Sequence, residues 1–117
     1  MTEINYWALP GLQKTIFDVK MDLVHTNVQR IIDICCRTWG VTEGQLKSEV
    51  RDRKLVEPRQ VAQYLISMHT KNIGVERIGK IFNRNHATVL HSIRVVNNLM
   101  ETNEDFKAKV EYANSQV

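Results

Sequence analysis

The segment that most narrows the possible folds of this chain is residues 78–96. Its apolar residues recur at helical spacing in two groups: Ile78, Ile81 and Phe82, then Val89, Leu90, Ile93 and Val96. Asn83, Arg84 and Asn85 lie between the two groups, directly after Phe82. Asparagine tolerates unusual backbone angles and caps helices well. The pattern therefore predicts two helices joined by a tight turn, a helix-turn-helix in which Asn85 caps the second helix.

The start of that second helix is the part of the motif that points outward. In a DNA-binding helix-turn-helix the first residues of the second helix enter the major groove. Here those residues are Asn85, His86, Ala87 and Thr88. They are polar or small and the predicted core does not need them, so they are the candidates for contact with base edges.

Two separated motifs resemble one known family. Ile78-Gly79, Phe82, Arg84, His86 and Thr88-Val89-Leu90-His91-Ser92 are similar to the signature of the C-terminal DNA-binding domain of DnaA, the bacterial replication initiator. Pro58-Arg59-Gln60, preceded by Arg51 and Arg53, resembles the basic loop and following helix of the same domain. The resemblance covers about residues 28–100. It implies an all-α, multi-helix domain with a helix-turn-helix of the Trp repressor or DnaA C-terminal type.

The resemblance also implies roles for individual residues on double-stranded DNA. Arg51 would enter the minor groove, while Arg53, Arg59, Gln60, Arg84, His91 and Arg94 would contact phosphates. The family typically has Asp-His-Thr-Thr where this chain has Asn85-His86-Ala87-Thr88. We therefore expect a shifted sequence preference, because asparagine can pair bidentately with adenine. About 4 to 6 phosphate contacts would make the affinity fall steeply with salt.

The positive charge is concentrated around these motifs. Residues 30–94 carry 12 Lys or Arg against 6 Asp or Glu, whereas residues 1–29 carry 2 against 3 and residues 95–117 carry 2 against 4. Such an asymmetry is typical of a surface that faces phosphates. Scattered solvated lysines and arginines are the alternative interpretation of any one of these charges.

The rest of the sequence predicts further helices. The periodicity predicts a first helix over 12–23, a second that starts at Thr26 and stops at Gly40, and a short helix capped by Thr42 and Gln45. Pro58 fits the first turn of the next helix, which would put Arg59 and Gln60 beside free backbone N–H groups. A final helix over 105–113 would be capped by Asn103. We predict an N-terminal extension over 1–24 and a single DnaA-like domain over 25–117.

Several function classes find no support in the residues. No Gly-rich phosphate loop, catalytic pair or metal-ligand spacing appears, so we expect no enzyme activity, no cofactor and no metal. Adjacent Cys35 and Cys36 cannot reach ordinary disulfide geometry, so both should be reduced. No apolar run approaches a membrane span, so we expect a cytoplasmic, nucleoid-associated protein.

Two function hypotheses follow. The first is sequence-specific binding of double-stranded DNA in the regulation of replication or transcription at DnaA-box-like sites. The second is a protein-interaction adaptor that uses helices 12–23 and 103–115, with little sequence-specific DNA binding. Those terminal helices would then dock another protein or a second copy of the chain, instead of packing on the core.

Overall fold

The computed structural model describes the backbone of residues 16–70 and 73–117, and the side chains of residues 23–70 and 73–117. In this part of the chain the backbone forms six helices and no strand. They are α1 (Ile16–Trp39), α2 (Glu43–Lys47), α3 (Arg53–His69), α4 (Val75–Ile81), α5 (His86–Thr102) and α6 (Glu104–Gln116). The predicted all-α class and the helix-turn-helix, formed by α4 and α5, are confirmed.

The first helix is longer than predicted. We expected one helix over 12–23 and a second from Thr26, but α1 continues without a break from Ile16 to Trp39. Residues 12–15 lie outside the described part of the chain. The prediction of a break at Thr26 was wrong, because a capping-box spacing marks the start of a new helix only where a helix-breaking residue ends the one before it. Residues 16–39 contain neither Gly nor Pro. The helix runs through residues 24 and 25, where we placed the boundary between the N-terminal extension and the DnaA-like domain. That division into domains stays a prediction.

Local sequence signals account for the segment after α1. Gly40 takes a φ of +67°, a left-handed conformation that glycine adopts without steric cost, and it ends the helix where predicted. The Thr42 side chain then accepts a hydrogen bond from the Gln45 backbone N–H, and the Gln45 side chain accepts one from the Thr42 backbone N–H. This reciprocal pair is the predicted capping box of α2.

The start of α3 differs from the prediction. Asp52 is the N-cap, and its Oδ1 accepts from the Lys54 backbone N–H at 3.0 Å. Pro58 therefore lies inside the helix and not in its first turn. Its fixed φ is compatible with a helix, and the aspartate cap six residues earlier decides where the helix begins. Arg59 and Gln60 consequently lie beyond the turn that has free backbone N–H groups.

The core forms where α1, α3 and α5 meet, and α6 closes one side. The fully or nearly buried apolar side chains are Val28, Ile31, Ile32, Ile34, Cys35, Leu46, Val61, Ala62, Leu65, Ile66, Ile78, Phe82, Val89, Val96, Phe106, Val110 and Ala113. Cys35 is buried as an apolar residue, as expected, and both cysteines are free thiols. Leu90, which belongs to the apolar pattern predicted for the buried face of α5, is 41% exposed instead.

The C-terminal helix packs on the body of the protein. Asn103 caps it by accepting from the Phe106 backbone N–H at 3.0 Å, as predicted. The His69 and Asn114 side chains form a hydrogen bond, and Lys109 Nζ lies 4.9 Å from the centroid of the Trp39 ring. Of the two alternatives for this tail, the structure supports folding back on the core. Within the described residues, no helix combines the length and apolar character that crossing a membrane requires.

Candidate nucleic-acid interface

The turn between α4 and α5 is held in a single shape by its backbone. Asn83 has a φ of +53°, a conformation that asparagine adopts more readily than most residues. The next backbone N–H, of Arg84, donates to the Gly79 carbonyl at 2.7 Å. The chain thus reverses over residues 82–85, between α4 and α5, and α5 begins at a defined angle.

Gly79 makes this close approach possible. A Cβ atom on Gly79 would lie 2.3 Å from the Arg84 carbonyl oxygen, well inside van der Waals contact. Glycine inside a helix is unfavourable by roughly 1 kcal/mol relative to alanine, so its presence in α4 needs a reason of this kind. The structure shows that the backbone of the turn, and not a facing helix, occupies the space.

Asn85 starts the second helix with its side-chain oxygen. Its Oδ1 accepts from the Thr88 backbone N–H at 2.8 Å and from the Thr88 hydroxyl at 3.0 Å. Asn85, His86, Ala87 and Thr88 are all exposed, as the sequence predicts for a surface that reads bases. The capping bonds hold this first turn in place before any ligand arrives.

Arg59 lies inside the protein and not on its surface. It is 5% exposed, and its Nε donates to the Leu46 carbonyl at 2.7 Å while its Nη2 donates to the Val50 carbonyl at 3.1 Å. These acceptors flank the start of the α2–α3 loop, residues 48–52, which carries Arg51. Burial, followed by the nearby charge of Arg84, lowers the pKa of the Arg59 guanidinium from its ordinary value.

Arg84 binds the same loop at a second point. Its Nη2 donates to the Ser48 carbonyl at 2.6 Å, and its Nη1 donates to the Phe82 carbonyl at 3.0 Å. One arginine from α3 and one from the turn therefore hold the α2–α3 loop by its backbone carbonyls. The loop that carries Arg51 is fastened to the helix-turn-helix through these bonds.

Most of the predicted contact residues meet in one concavity, which we call the basic depression. It is lined by Glu49, Arg51, Val56, Arg59, Gln60, Asn83, Arg84, Thr88 and His91. The α2–α3 loop, α3, the turn and α5 each contribute to it. Arg51 and His91 are exposed there, and Gln60 and Arg84 are partly exposed. The structure thus brings together residues that are up to 42 positions apart in the sequence.

Two predicted phosphate contacts lie outside this depression. Arg53 is exposed in the first turn of α3 and lines a different concavity, together with Trp39 and Lys54. Arg94 is exposed on α5, two turns beyond the capped start. Neither side chain lines the basic depression.

Sequence reasoning missed part of the depression. Asn83 and Val56 line it, and neither was among the predicted contacts. A signal existed for Asn83, because an asparagine that starts a tight turn before a cap is a candidate for positive φ. No sequence signal existed for the bond from Arg84 to the Ser48 carbonyl, since the two residues are 36 positions apart.

Comparison with known protein families identifies the family to which this helix-turn-helix belongs. The family model described as "Bacterial dnaA protein helix-turn-helix" matches residues 28–96, more than half of the chain. The chain belongs to this DnaA helix-turn-helix family. The match contains α2 to α4, most of α5 and the C-terminal half of α1, so every residue of the basic depression falls inside it.

Individual relatives agree with the family match. The chain is 36% identical over 96 residues to the chromosomal replication initiator protein DnaA of Porphyromonas gingivalis, covering 81% of this chain and 20% of that protein. It is 39% identical over 80 residues to the DnaA of Desulfatibacillum aliphaticivorans, covering 68% of this chain and 17% of that protein. It is 32% identical over 94 residues to the DnaA of Bacteroides fragilis, covering 80% of this chain and 20% of that protein.

The chain spans about a fifth of the length of these curated DnaA relatives. The match therefore concerns the helix-turn-helix domain. Among the described residues, no group of three His, Cys, Asp or Glu side chains is arranged to hold a metal ion.

Proposed function

We propose that this chain binds double-stranded DNA in a sequence-specific manner through α5 and the α2–α3 loop. Base contacts would come from Asn85, His86, Ala87 and Thr88 in the major groove. Arg51 would reach the adjacent minor groove. Membership of the DnaA helix-turn-helix family supports DNA binding in general, and the assignment of individual residues is our proposal.

One observation carries the proposal. The exposed first turn of α5 lies beside a depression that collects Arg51, Gln60, Arg84 and His91 from separate elements. A recognition helix flanked by cations is typical of protein–DNA interfaces, in which contacts to base edges give specificity and contacts to phosphates fix the register of the protein on the duplex. Arg53 and Arg94, both exposed, would extend the phosphate contacts along the duplex on either side.

Arg59 has a different place in this proposal. The sequence assigned it to a phosphate, but its guanidinium donates to two backbone carbonyls inside the protein. We propose that it acts on DNA mainly by holding the loop that presents Arg51. Its edge in the basic depression adds to the positive potential there.

Selection from a random duplex pool tests the proposal. The wild-type chain should enrich a short box, and His86→Ala should flatten the preference among sequences while leaving general affinity nearly intact. Arg94→Ala should weaken binding to all duplexes alike and reduce the slope of log K against log salt by roughly 0.9. Lack of enrichment for any duplex at low salt would refute sequence-specific binding.

The adaptor hypothesis receives less support from the structure. It requires the terminal helices to present free apolar faces, but Phe106, Val110 and Ala113 of α6 are buried in the core. A DNA-binding module of this family in the bacterial cytoplasm would act on the nucleoid. We propose regulation of replication or transcription at DnaA-box-like sites as its role, testable by footprinting wild-type protein on a replication-origin duplex.

A further inference from the structure

The hydrogen-bonding polarity of Asn85 is fixed by its role as a helix cap. Its side chain faces the Thr88 backbone N–H at 2.8 Å, and only the amide oxygen can accept that hydrogen. The same oxygen lies 3.0 Å from Thr88 Oγ1. Because Oδ1 is only an acceptor, the Thr88 hydroxyl must be the donor. The orientation of the Asn85 amide thus follows from chemistry, without a choice between oxygen and nitrogen.

This arrangement uses both lone pairs of Oδ1. A carbonyl oxygen accepts two hydrogen bonds well, and here both come from Thr88. The exposed end of the side chain is then the Nδ2 amino group. That group has two N–H donors, and within residues 23–70 and 73–117 no hydrogen bond from it is formed. At this position α5 presents a pure donor to an approaching duplex.

We propose that Asn85 selects for a base with hydrogen-bond acceptors in the major groove, with guanine favoured and cytosine rejected. Guanine presents N7 and O6, two acceptors and no donor, whereas cytosine presents the N4 amino donor. Adenine and thymine each present one acceptor. This inference rests on the proposed function and names the base class that one residue reads.

The inference revises the expectation drawn from the sequence. A bidentate pair between asparagine and adenine needs Oδ1 to accept from the adenine N6 amino group. That bond would have to replace a capping bond at the start of α5, which typically stabilises a protein by about 1 kcal/mol. A base read by Nδ2 alone leaves the cap intact, so guanine is preferred over adenine.

Asn85→Asp is the matched probe, because aspartate caps helices as well as asparagine does. One carboxylate oxygen would keep the bond to the Thr88 backbone N–H, and the other would face the groove as an acceptor. The polarity at this position is then reversed while the shape stays the same. Asn85→Ser is the second probe: serine also caps, but its hydroxyl is too short to reach a base while capping.

The experiment begins with the box selected by the wild-type chain. The base pair whose preference is lost in Asn85→Ser identifies the position that residue 85 faces. Four duplexes that differ only at that position are then titrated by fluorescence anisotropy with all three proteins. The wild type should prefer guanine over cytosine on the order of tenfold. Asn85→Asp should reverse this order, and Asn85→Ser should bind all four within about twofold.

Three results would overturn the inference. They are a wild-type preference for adenine or cytosine, an unchanged order in Asn85→Asp, or a selected box that keeps every preference in Asn85→Ser. In each case the chain would still bind a specific box, so sequence-specific DNA binding would stand; the third result would only remove Asn85 from the base contacts. If the wild type selects no box at all, both the proposed function and this inference fail.

Discussion

Replacing Arg59 with methionine separates its structural role from a phosphate contact. The side chain is 5% exposed, and its guanidinium donates to the Leu46 and Val50 carbonyls at 2.7 and 3.1 Å, with the Gln45 carbonyl at 3.4 Å. Methionine fills the space of the aliphatic stem but donates no hydrogen bond. The carbonyls at the end of α2 and in the α2–α3 loop would lose their partners while the backbone around them stays packed.

The size of the effect follows from these bonds. A hydrogen bond to a charged group contributes about 1.5–3 kcal/mol net, and two of the three have good geometry. Part of this is recovered where water reaches the released carbonyls at the edge of the basic depression. We expect Arg59→Met to lower the free energy of unfolding by about 2–5 kcal/mol, a large share of the stability of a domain this size.

Urea unfolding followed by far-UV circular dichroism measures this loss, and Arg94→Met is the matched control. Arg94 is exposed on α5, so its replacement should change the free energy of unfolding by less than about 0.5 kcal/mol. The reasoning is refuted if Arg59→Met is as stable as the control, yet binds every duplex more weakly with a salt slope smaller by roughly 0.9. That result would assign Arg59 to a phosphate.

Three further predictions concern the same framework. Gly79→Ala should destabilise the protein by about 1–3 kcal/mol in urea unfolding, because its Cβ would lie 2.3 Å from the Arg84 carbonyl oxygen. Gly44→Ala, whose Cβ meets no atom closer than 4.0 Å, should be neutral or stabilising; equal losses in both variants would contradict the steric argument. Asn103→Ala should cost about 1 kcal/mol through the lost cap of α6, and an unchanged urea midpoint would show that the cap contributes nothing. Burial raises the pKa of the Cys35 thiol to about 12, so iodoacetamide at pH 8 should alkylate it only after unfolding; rapid modification in the folded protein, detected by mass spectrometry, would disprove this.

The sequence predicted the elements whose causes are local. Apolar spacing located α4 and α5, Asn85 and Asn103 identified the N-caps of α5 and α6, and Gly40 marked the end of α1. Each of these signals acts within one helical turn, so neighbouring residues contain the whole cause. Thr26 gave a false local signal, because the backbone around it is equally satisfied inside a continuous helix.

The sequence could not predict effects that need the tertiary structure. Pro58 has the right chemistry for a first turn, and only the competing cap at Asp52 places it inside α3. The burial of Arg59 depends on α2 lying against α3, which brings the Leu46 carbonyl within 2.7 Å of its Nε. A basic residue in a basic motif resembles a phosphate contact whether its charge faces outward or inward.

The inward orientation of some arginines changes how the excess of positive charge in residues 30–94 is interpreted. Residues 30–94 carry an excess of six positive charges, but Arg59 and Arg84 direct their guanidinium groups at backbone carbonyls of the α2–α3 loop and the turn. Glu49 lines the same depression with the opposite sign. The cations free to meet phosphates are therefore fewer than the motif suggests. The two inward arginines contribute by fastening the loop that carries Arg51, which lowers the entropy that this loop would lose on binding DNA.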